Sequence, residues 1–282
     1  MNTDDANIEQ VLLPDERLTD VVRHIYCIRQ SAQAPTIQKQ LVPNYEMMLI
    51  VNFGPAITAS AADYTWVVER SAVLGPLNKL LRYTVPPDAD MMVVVFTLNG
   101  FYRLVGQPVH SLRSEADADI GMRLNDETFA ELWAQLKAMP SLADRLDLLN
   151  AYLLLHMAPA DEDARSILEG VVLFDNVAID PVKVIAETRQ LSTRSVQLRF
   201  QTNLGVSAKE LARFLRFKKM VTELITQYPA PPDWANLVFV HGYHDQSHLI
   251  RDFQQFMGLS PTEFLQQLAS QEICISQPGK YY

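Results

Sequence analysis

Two stretches near the carboxyl end of the chain, LSTRSVQLRFQTNLGVSAKEL (191–211) and HDQSHLIRDFQQFMGLSPTEF (244–264), repeat one another at an offset of 53 residues. The identical positions are Phe200 with Phe253, Gln201 with Gln254, Gly205 with Gly258, Ser207 with Ser260, and Glu210 with Glu263. Apolar positions also coincide across the repeat, as expected for a duplicated structural unit. Two copies are too few for a solenoid, so the repeat predicts a tandem of small helical units.

The first unit has the pattern of a helix-turn-helix. Residues 182–190 form a short amphipathic run, and residues 193–202 follow after a turn in which Ser192 is a typical N-cap residue. Val196 and Phe200 lie four residues apart and are predicted to face the core together. The second helix of such a unit, the recognition helix, is the one that enters the major groove of DNA.

The second unit repeats the pattern. Its helices are predicted over residues 233–242 and 246–256, and Asp245 is the N-cap of the recognition helix. Leu249 and Phe253 occupy the positions of the inward-facing pair.

A single helix over residues 207–227 is predicted to connect the two units, and Gly205 and Gly258 are predicted to end the recognition helices with positive φ. A helix of roughly 20 residues spans about 30 Å. That length is close to the roughly 34 Å between successive major grooves on one face of DNA.

Polar side chains on the outer faces of the recognition helices are suited to base edges. Arg can bind guanine through two hydrogen bonds, Gln can bind adenine in the same way, and Ser suits several bases. The candidate base contacts are Thr193, Arg194, Gln197, Gln201, Gln246, Ser247, His248 and Arg251. The candidate phosphate contacts on the connecting helix are Arg213, Arg216, Lys218 and Lys219. Spacing alone is also consistent with a solvated face, and His248 is equally suited to a structural role beside Asp245.

GYHDQSHLIRDFQQFMGLSPTEF (242–264) contains Gly-aromatic, Asp-Gln-Ser-His, Arg-x-Phe and Gly-x-Ser-Pro elements. With these elements, residues 162–269 resemble the tandem helix-turn-helix domain of the AraC/XylS family of bacterial transcription regulators. The first unit departs from the family pattern at Leu198, where a basic residue is usual. The resemblance implies a homodimeric, cytoplasmic transcription regulator that binds specific sequences of double-stranded DNA. It leaves RNA polymerase open as a further partner.

The amino-terminal part is rich in strand-like runs punctuated by Pro, Gly and Asn. Examples are YEMMLIVNFG (45–54), TWVVERSAVLGP (65–76) and two runs within 80–98 that flank a Pro-Pro-Asp turn. Many short strands of this kind predict a β-sandwich or barrel.

Three segments, 42–55, 74–77 and 96–112, resemble a β-rich sensor domain attached to some members of the same family. This resemblance implies control by a small-molecule effector. Aromatic residues that could line an effector site, or belong to an ordinary core, are Tyr45, Trp66 and Tyr83.

The predicted fold class is α+β: an N-terminal β-rich barrel or sandwich with flanking helices, then an all-α domain of two helix-turn-helix units joined by a long helix. The predicted divisions are a sensor domain (1–125), a helical dimerisation or linker region (126–160), a tandem helix-turn-helix domain (161–270) and a tail (271–282). In the linker region, leucines recur at helical spacing and can bury against the core or a partner. They are Leu132, Leu136, Leu142, Leu146, Leu149 and Leu153.

Charge is divided unevenly along the chain, whose net charge is −9. Residues 1–177 contain 13 basic and 24 acidic side chains, whereas residues 178–270 contain 10 basic and 8 acidic ones. The carboxyl-terminal part is therefore the one suited to meeting a polyanion.

Motifs of catalysis are missing from the sequence, which has no P-loop, G-x-G-x-x-G, G-x-S-x-G or H-E-x-x-H. Cys27 and Cys274 match no metal or redox spacing, and Cys27 is predicted to be a core residue. His241 and His244 near Asp245 lack a further ligand. We therefore expect no enzymatic activity, no cofactor and no metal. No apolar run reaches the roughly 18 residues of a transmembrane helix.

The sequence leaves two alternatives open. One is a regulator with a degenerate DNA-binding unit that acts through protein partners, as Leu198 and the weakly basic carboxyl-terminal part suggest. The other is an enzyme with an accessory helix-turn-helix part, against which the absence of the catalytic motifs named above argues.

Overall fold

The computed structural model describes residues 7–61, 64–106, 127–159, 172–175 and 179–269. The predicted domain limits at 125–126, 160–161 and 270–271 fall outside these residues, as does Cys274. Within the described residues the predicted α+β fold class is confirmed, because antiparallel sheets are followed by a helical region.

The amino-terminal part forms two antiparallel sheets. The strands among the described residues are β1 (Ile8–Leu12), β2 (Val22–Arg29), β3 (Ile37–Leu41), β4 (Met48–Asn52), β5 (Ile57–Ala61), β6 (Tyr64–Val68), β7 (Ser71–Leu74), β8 (Leu81–Val85) and β9 (Asp90–Phe96). The first sheet has the order β1-β2-β9-β4-β7, and the second has the order β3-β8-β5-β6. Ile28 and Met91 of the first sheet share a buried cluster with Ile57 and Val85 of the second, so the sheets pack face to face.

The strand-like run 65–76 contains two strands that belong to different sheets. β6 pairs with β5 in the second sheet, whereas β7 pairs with β4 in the first. The exposed residues Glu69 and Arg70 form the bend between them. This bend carries the chain from one layer of the sandwich to the other.

Helices cover the outer face of the first sheet. They are α1 (Gly100–Val105), α2 (Glu127–Ala138) and α3 (Leu142–His156). Met92 and Val94 of β9 join one buried cluster with helical residues. Of the leucines predicted at helical spacing, Leu132, Leu136, Leu149 and Leu153 belong to this cluster, and Leu142 and Leu146 pack at its edge. The leucine pattern is therefore used within its own domain, which was one of the two roles predicted for it.

A buried arginine joins α3 to β9. Arg145 Nη1 lies 2.7 and 2.9 Å from the two carboxylate oxygens of Asp90, and Arg145 Nε donates to the Met139 carbonyl at 2.9 Å. Its guanidinium also lies 4.4 Å from the centre of the Phe53 ring. The charge is thus paired and hydrogen-bonded, as burial requires.

The carboxyl-terminal part is helical. Its helices among the described residues are α4 (Pro181–Thr188), α5 (Thr193–Leu204), α6 (Ala208–Gln227), α7 (Trp234–Val240), α8 (Gln246–Met257) and α9 (Pro261–Ala269). α4 with α5 and α7 with α8 are the two predicted helix-turn-helix units, and α6 is the predicted connecting helix of 20 residues.

The ends of the recognition helices follow the predicted chemistry. Ser192 Oγ accepts from the Ser195 amide at 3.1 Å, and an Asp245 carboxylate oxygen accepts from the His248 amide at 2.7 Å. Gly205 and Gly258 both have a φ of 68°. A side chain is strained at that angle, so glycine is the residue suited to ending both helices.

Asn52 links several segments on the amino-terminal side. Its fully buried amide nitrogen donates to the carbonyls of Pro55, Val68 and Glu69 at 2.9, 3.2 and 3.0 Å. The main-chain carbonyl of Asn52 accepts from Trp133 Nε1 of α2 at 2.9 Å. A single side chain thus holds the turn after β4 against the bend between β6 and β7.

We expect Asn52→Ala to lower the free energy of unfolding by about 2–3 kcal/mol, because buried carbonyls lose their donor. Chemical denaturation followed by circular dichroism measures this change. Gln38→Ala, at an exposed position of β3, is the control and is expected to change stability by less than about 0.5 kcal/mol. Equal effects of the two substitutions would contradict this role of Asn52.

Candidate nucleic-acid interface

Both recognition helices bury one face and expose the opposite one. Val196 and Phe200 of α5 are buried, as are Leu249 and Phe253 of α8. The predicted base contacts that are exposed are Thr193, Arg194, Gln197, Gln246, Ser247 and Arg251. Gln201 and His248 are partly buried. The inward pairs anchor each helix to the core and leave a polar strip available on its other side.

The first turn of each recognition helix has backbone amides without an intrahelical partner, as every helix does. The cap residues Ser192 and Asp245 each take one of these amides. The remaining amides and the positive end of the helix dipole favour a phosphate group. An exposed strip that begins at such an end can therefore combine phosphate and base contacts.

His248 is engaged within its own unit. Its Nε2 lies 3.3 Å from Arg216 Nη2, and its ring meets the Tyr243 ring edge-on with centroids 5.2 Å apart. Burial and the neighbouring charge of Arg216 lower the pKa of His248. A neutral imidazole nitrogen can accept a hydrogen bond from the guanidinium, which keeps its protons.

Lys218 and Lys219 are adjacent on α6 but have different surroundings. Lys219 is exposed. Lys218 is partly buried, and its charge interacts with Glu46 and Arg23 of the amino-terminal part. Burial lowers the pKa of Lys218, and Glu46 opposes this effect. Of the two lysines, Lys219 is therefore better placed for a phosphate.

A buried carboxylate, which the sequence pattern did not single out, attaches the second unit to α6. Asp252 is fully buried, and one of its oxygens lies 2.7 Å from Arg213 Nε. Its other oxygen lies 3.8 Å from Arg216 Nη2, and the Arg216 guanidinium lies 4.8 Å from the centre of the Tyr243 ring. The two arginines predicted to contact phosphate thus have an internal role. The signal in the sequence that could have pointed to this ion pair was the charged dipeptide Arg251-Asp252. The structure exposes the first of these residues and buries the second.

The amino-terminal part contacts α6 directly. The ring of the buried Tyr45 stacks on Phe214 with centroids 4.1 Å apart and planes 20° apart. Next to it, the buried Glu46 pairs with Arg23 and accepts from Asn44 Nδ2 at 2.8 Å. Tyr45 therefore belongs to the contact between the two parts of the chain.

A further contact is made by Lys79, whose Nζ donates to the Gln255 carbonyl near the end of α8. A cation at this position complements the negative end of the helix dipole. The amino-terminal part thus touches both the connecting helix and the second recognition helix.

Cys27 is buried on β2, and burial raises the pKa of its thiol to about 12. A protonated thiol is a poor nucleophile. Within the described part of the chain, no three His, Cys, Asp or Glu side chains are grouped so that they could hold a metal ion. His241 instead contacts Glu223 at 2.8 Å, and His244 contacts Asp245 at 3.1 Å.

Comparison with known families matches both parts of the chain. Residues 185–267 match a family model described as a helix-turn-helix domain, and residues 10–116 match one described as a domain of unknown function (DUF6597). None of the curated proteins searched matches the chain.

Solved structures with a similar chain path include ToxT from Vibrio cholerae, at 11% identity and a TM-score of 0.42, covering 86% of this chain and 97% of that chain. ToxT of strain SCE256 with a bound unsaturated fatty acid has 12% identity and a TM-score of 0.38, with coverage of 87% and 94%. Protein NMB1881 from Neisseria meningitidis has 5% identity and a TM-score of 0.23, with coverage of 32% and 84%. Of the helices that the structure describes, none combines the length and apolar character needed to cross a membrane.

We expect Asp252→Asn to lower the free energy of unfolding by about 2–3 kcal/mol, because a buried ion pair loses its carboxylate while the volume is kept. Partial exposure of Arg213 keeps the effect below that of a fully buried pair. Denaturant titration measures it, with Gln254→Ala at an exposed position of the same helix as the control. A loss below about 0.5 kcal/mol, within the range of ordinary surface substitutions, would contradict this attachment.

Proposed function

We infer, from the AraC-type helix-turn-helix domain that this chain carries over residues 185–267, that the protein is a sequence-specific DNA-binding transcription regulator. The observation that carries this conclusion is the pairing of two recognition helices, each capped at its start and each exposing a polar strip. The connecting helix of 20 residues between them is about 30 Å long. This length suits two successive major grooves on one face of DNA.

We propose that base edges are contacted by the polar strips of both units. Arg194, Gln197 and Gln201 would act in the first unit, and Gln246, Ser247 and Arg251 in the second, because their side chains carry the donors and acceptors that bases recognise. Thr193 and His248 would lie at the helix starts, close to the phosphate backbone. Lys219 would add a phosphate contact from α6.

The proposal extends to the amino-terminal domain. A small-molecule effector bound there would change how this domain sits on α6, through the Tyr45–Phe214 stack and the Lys79–Gln255 contact. Such control requires only that the effector bind two arrangements of the domains with different affinity. RNA polymerase would be a further partner of the DNA-bound protein.

The remaining parts of the proposal concern assembly, location and chemistry. Two DNA-binding units per chain suit a homodimer on paired sites. A cytoplasmic location follows from DNA as the partner. The chain would have no catalytic activity, since its function rests on non-covalent binding and no catalytic motif occurs in its sequence.

The first test uses genomic DNA fragments that the protein retains, whose sequences define the site. On that site, we expect Arg194→Ala with Arg251→Ala to lose about 1–3 kcal/mol per arginine and to relax sequence preference at two positions. Lys219→Ala should weaken all sequences alike and reduce the slope of log affinity against log salt by about one. Fluorescence anisotropy across a salt series measures both.

The matched control for the double substitution is Arg17→Ala with Arg82→Ala. These arginines are exposed in the amino-terminal domain, and their removal changes the net charge by the same amount. The control should keep affinity and preference. An unchanged affinity and preference in the Arg194 and Arg251 double variant would refute the proposed recognition.

The second test asks whether the two helix-turn-helix units contribute unequally to DNA binding. Leu198 is 64% exposed on α5, where it can touch a thymine methyl group but cannot hydrogen-bond guanine. We expect Leu198→Arg to tighten binding to non-specific DNA and to steepen its salt dependence by about one unit, whereas Leu198→Gln should not. A footprint better protected under the first unit than under the second would contradict this view. No gain from Leu198→Arg would favour a first unit that acts through protein partners.

The third test concerns the dimer. The inward leucines of α3 are buried in their own domain, so a partner would meet its outer side, where Leu155 is 80% exposed. We expect Leu155→Glu to shift the full chain from dimer to monomer in light scattering at tens of micromolar. Leu13→Glu, at another exposed leucine, should leave the dimer intact. A native chain that is monomeric with and without DNA would exclude the dimer.

A further inference from the structure

Arg216 joins the connecting helix α6 to the start of the second recognition helix, α8. One of its terminal nitrogens, Nη2, lies 3.3 Å from His248 Nε2, and the other, Nη1, donates to the Gly242 carbonyl at 3.5 Å. The guanidinium also lies 4.8 Å from the centre of the Tyr243 ring, and Nη2 lies 3.8 Å from the buried Asp252 carboxylate. Contacts with four residues therefore hold the guanidinium in one orientation.

His248 lies where the buried face of α8 reaches the start of the helix. It is the third residue of α8, and Asp252 follows it by one helical turn on the same face. Asp252 is fully buried, whereas His248 is only partly buried. The His248 amide donates to the cap residue Asp245, and the His248 ring meets the Tyr243 ring edge-on. The imidazole is thus held on the side of α6, while part of it stays accessible at the helix start.

Hydrogen-bonding chemistry decides which nitrogen of the imidazole carries the proton. A guanidinium has only N–H donors, so the His248 nitrogen that faces it must be an acceptor. In a neutral imidazole one nitrogen accepts and the other carries the proton. Because Nε2 faces Arg216, the proton lies on Nδ1. Among the described residues Nδ1 has no hydrogen-bond partner, so this N–H is available to an acceptor from outside the chain.

The surroundings of His248 oppose a positive charge on the ring. Burial and the charge of Arg216 lower the pKa of His248, and Asp252 opposes this effect. The start of α8 also carries the positive end of the helix dipole. A proton on Nε2 would place an N–H donor against the guanidinium. The charged and titratable groups around the ring are Arg213 and Arg216 of α6, Arg251 and Asp252 of α8, and Tyr243, His244 and Asp245 of the preceding turn.

The corresponding position of the first unit is arranged differently. Under the 53-residue offset, His248 corresponds to Ser195. The Ser195 hydroxyl lies 2.8 Å from the hydroxyl of the cap residue Ser192, so it is engaged within its own helix start. A ring nitrogen positioned by the connecting helix is therefore a feature of the second unit.

We propose that Arg216 is a positioning residue for DNA binding by the second unit. It holds His248 as the neutral imidazole with its proton on Nδ1, and this N–H donates to a phosphate oxygen of DNA at the start of α8. The helix dipole and the free amides of the first turn attract the phosphate to the same place. This proposal deepens the proposed function and rests on it for DNA as the acceptor, whereas the state of the imidazole is measured without DNA.

The first measurement determines the form of His248 in the full chain without DNA. Two-bond correlation spectra between ¹H and ¹⁵N distinguish the two neutral imidazoles and the imidazolium by their nitrogen shifts. The chain has six histidines, and the signals of His248 are those missing in His248→Asn. We expect the Nδ1–H form at pH 7, whereas an unconstrained neutral imidazole in water prefers the proton on Nε2. The Nε2–H form or the imidazolium at pH 7 would overturn the proposal.

The second measurement compares two substitutions of His248 on the retained DNA fragments. Asn places an amide donor near the position of Nδ1, whereas Leu has no donor. His248→Leu should weaken binding to all sequences by about two- to tenfold, as expected for one hydrogen bond, and His248→Asn should stay within about twofold of the native chain. The slope of log affinity against log salt should stay native in His248→Leu, because an uncharged donor displaces no counterion.

Two results of this comparison would contradict the proposal. Native affinity in His248→Leu would overturn the phosphate contact. A salt slope that His248→Leu reduces by about one would show a charged contact and would overturn the neutral state.

The third measurement tests Arg216 through the pH dependence of DNA binding. Arg216→Gln removes the neighbouring positive charge and offers an amide oxygen that can accept from Nε2–H. The phosphate then favours the imidazolium, so binding takes up a proton. Relative to the native chain, the affinity of Arg216→Gln should rise about fivefold from pH 8 to pH 6, because a charged hydrogen bond is stronger.

The control for the pH profile combines Arg216→Gln with His248→Asn, which has no imidazole at this position and should lose the additional rise. Circular dichroism checks the fold of each variant. A native pH profile in a folded Arg216→Gln variant would overturn the positioning role of Arg216.

The measurements separate this proposal from the proposed function. Specific DNA binding by a chain whose His248 has another form would overturn this proposal and leave the proposed function standing. The Nδ1–H form in a chain without specific DNA binding would overturn the proposed function and, with it, the phosphate as the acceptor.

Discussion

The apolar face of the connecting helix α6 is the constraint on which both DNA-binding units and the amino-terminal domain depend. Phe217 contacts Phe253 and Phe256 of the second recognition helix, with ring centroids 5.2 and 4.9 Å apart. Phe214 contacts Phe256 on one side and Tyr45 of the amino-terminal domain on another. One helix therefore sets the spacing of the recognition helices and receives the domain proposed to control them. A change in the position of α6 would therefore alter both the recognition helices and the contact with the amino-terminal domain.

The recognition helices were predictable because their signals are local. Caps, inward pairs four residues apart and terminal glycines each depend on a few neighbouring residues, and duplication provides the same signal twice. The covered first sheet was harder to divide into strands, because a strand buried on both faces loses its alternating pattern. The run 65–76 was ambiguous for another reason. Its two strands are separated by two exposed residues yet belong to different sheets.

The contacts that could not be predicted join residues that are distant in sequence. Asp252 and Arg213 are 39 residues apart, and nothing local distinguishes this arginine from one that faces DNA. Lys218 is similar, since its proximity to Glu46 depends on how the amino-terminal domain packs against α6. Basic residues of a DNA-binding domain are thus divided between internal ion pairs and the surface by tertiary packing. The amino-acid composition gives only the total number of basic residues and not how many of them face the surface.

This division bears on how the protein would distinguish DNA sequences. Arg213 and Arg216 pair with the Asp252 carboxylate, and Lys218 is partly buried near Glu46, which leaves fewer cations for phosphates than the sequence suggests. Fewer phosphate contacts mean weaker non-specific binding and a shallower salt dependence. A larger share of the affinity must then come from base edges and from dimeric binding.

The duplication preserved the apolar framework of the two units but not their polar attachments. Under the 53-residue offset, Asp252 of the second unit corresponds to Arg199 of the first. The carboxylate that holds the second unit to α6 is therefore replaced by a residue of opposite charge. In the first unit, Phe200 instead meets Phe174 edge-on with ring centroids 5.6 Å apart. The two units thus differ in their internal contacts as well as at Leu198. The difference proposed for their DNA contacts is therefore accompanied by a difference in the core contacts that hold each recognition helix.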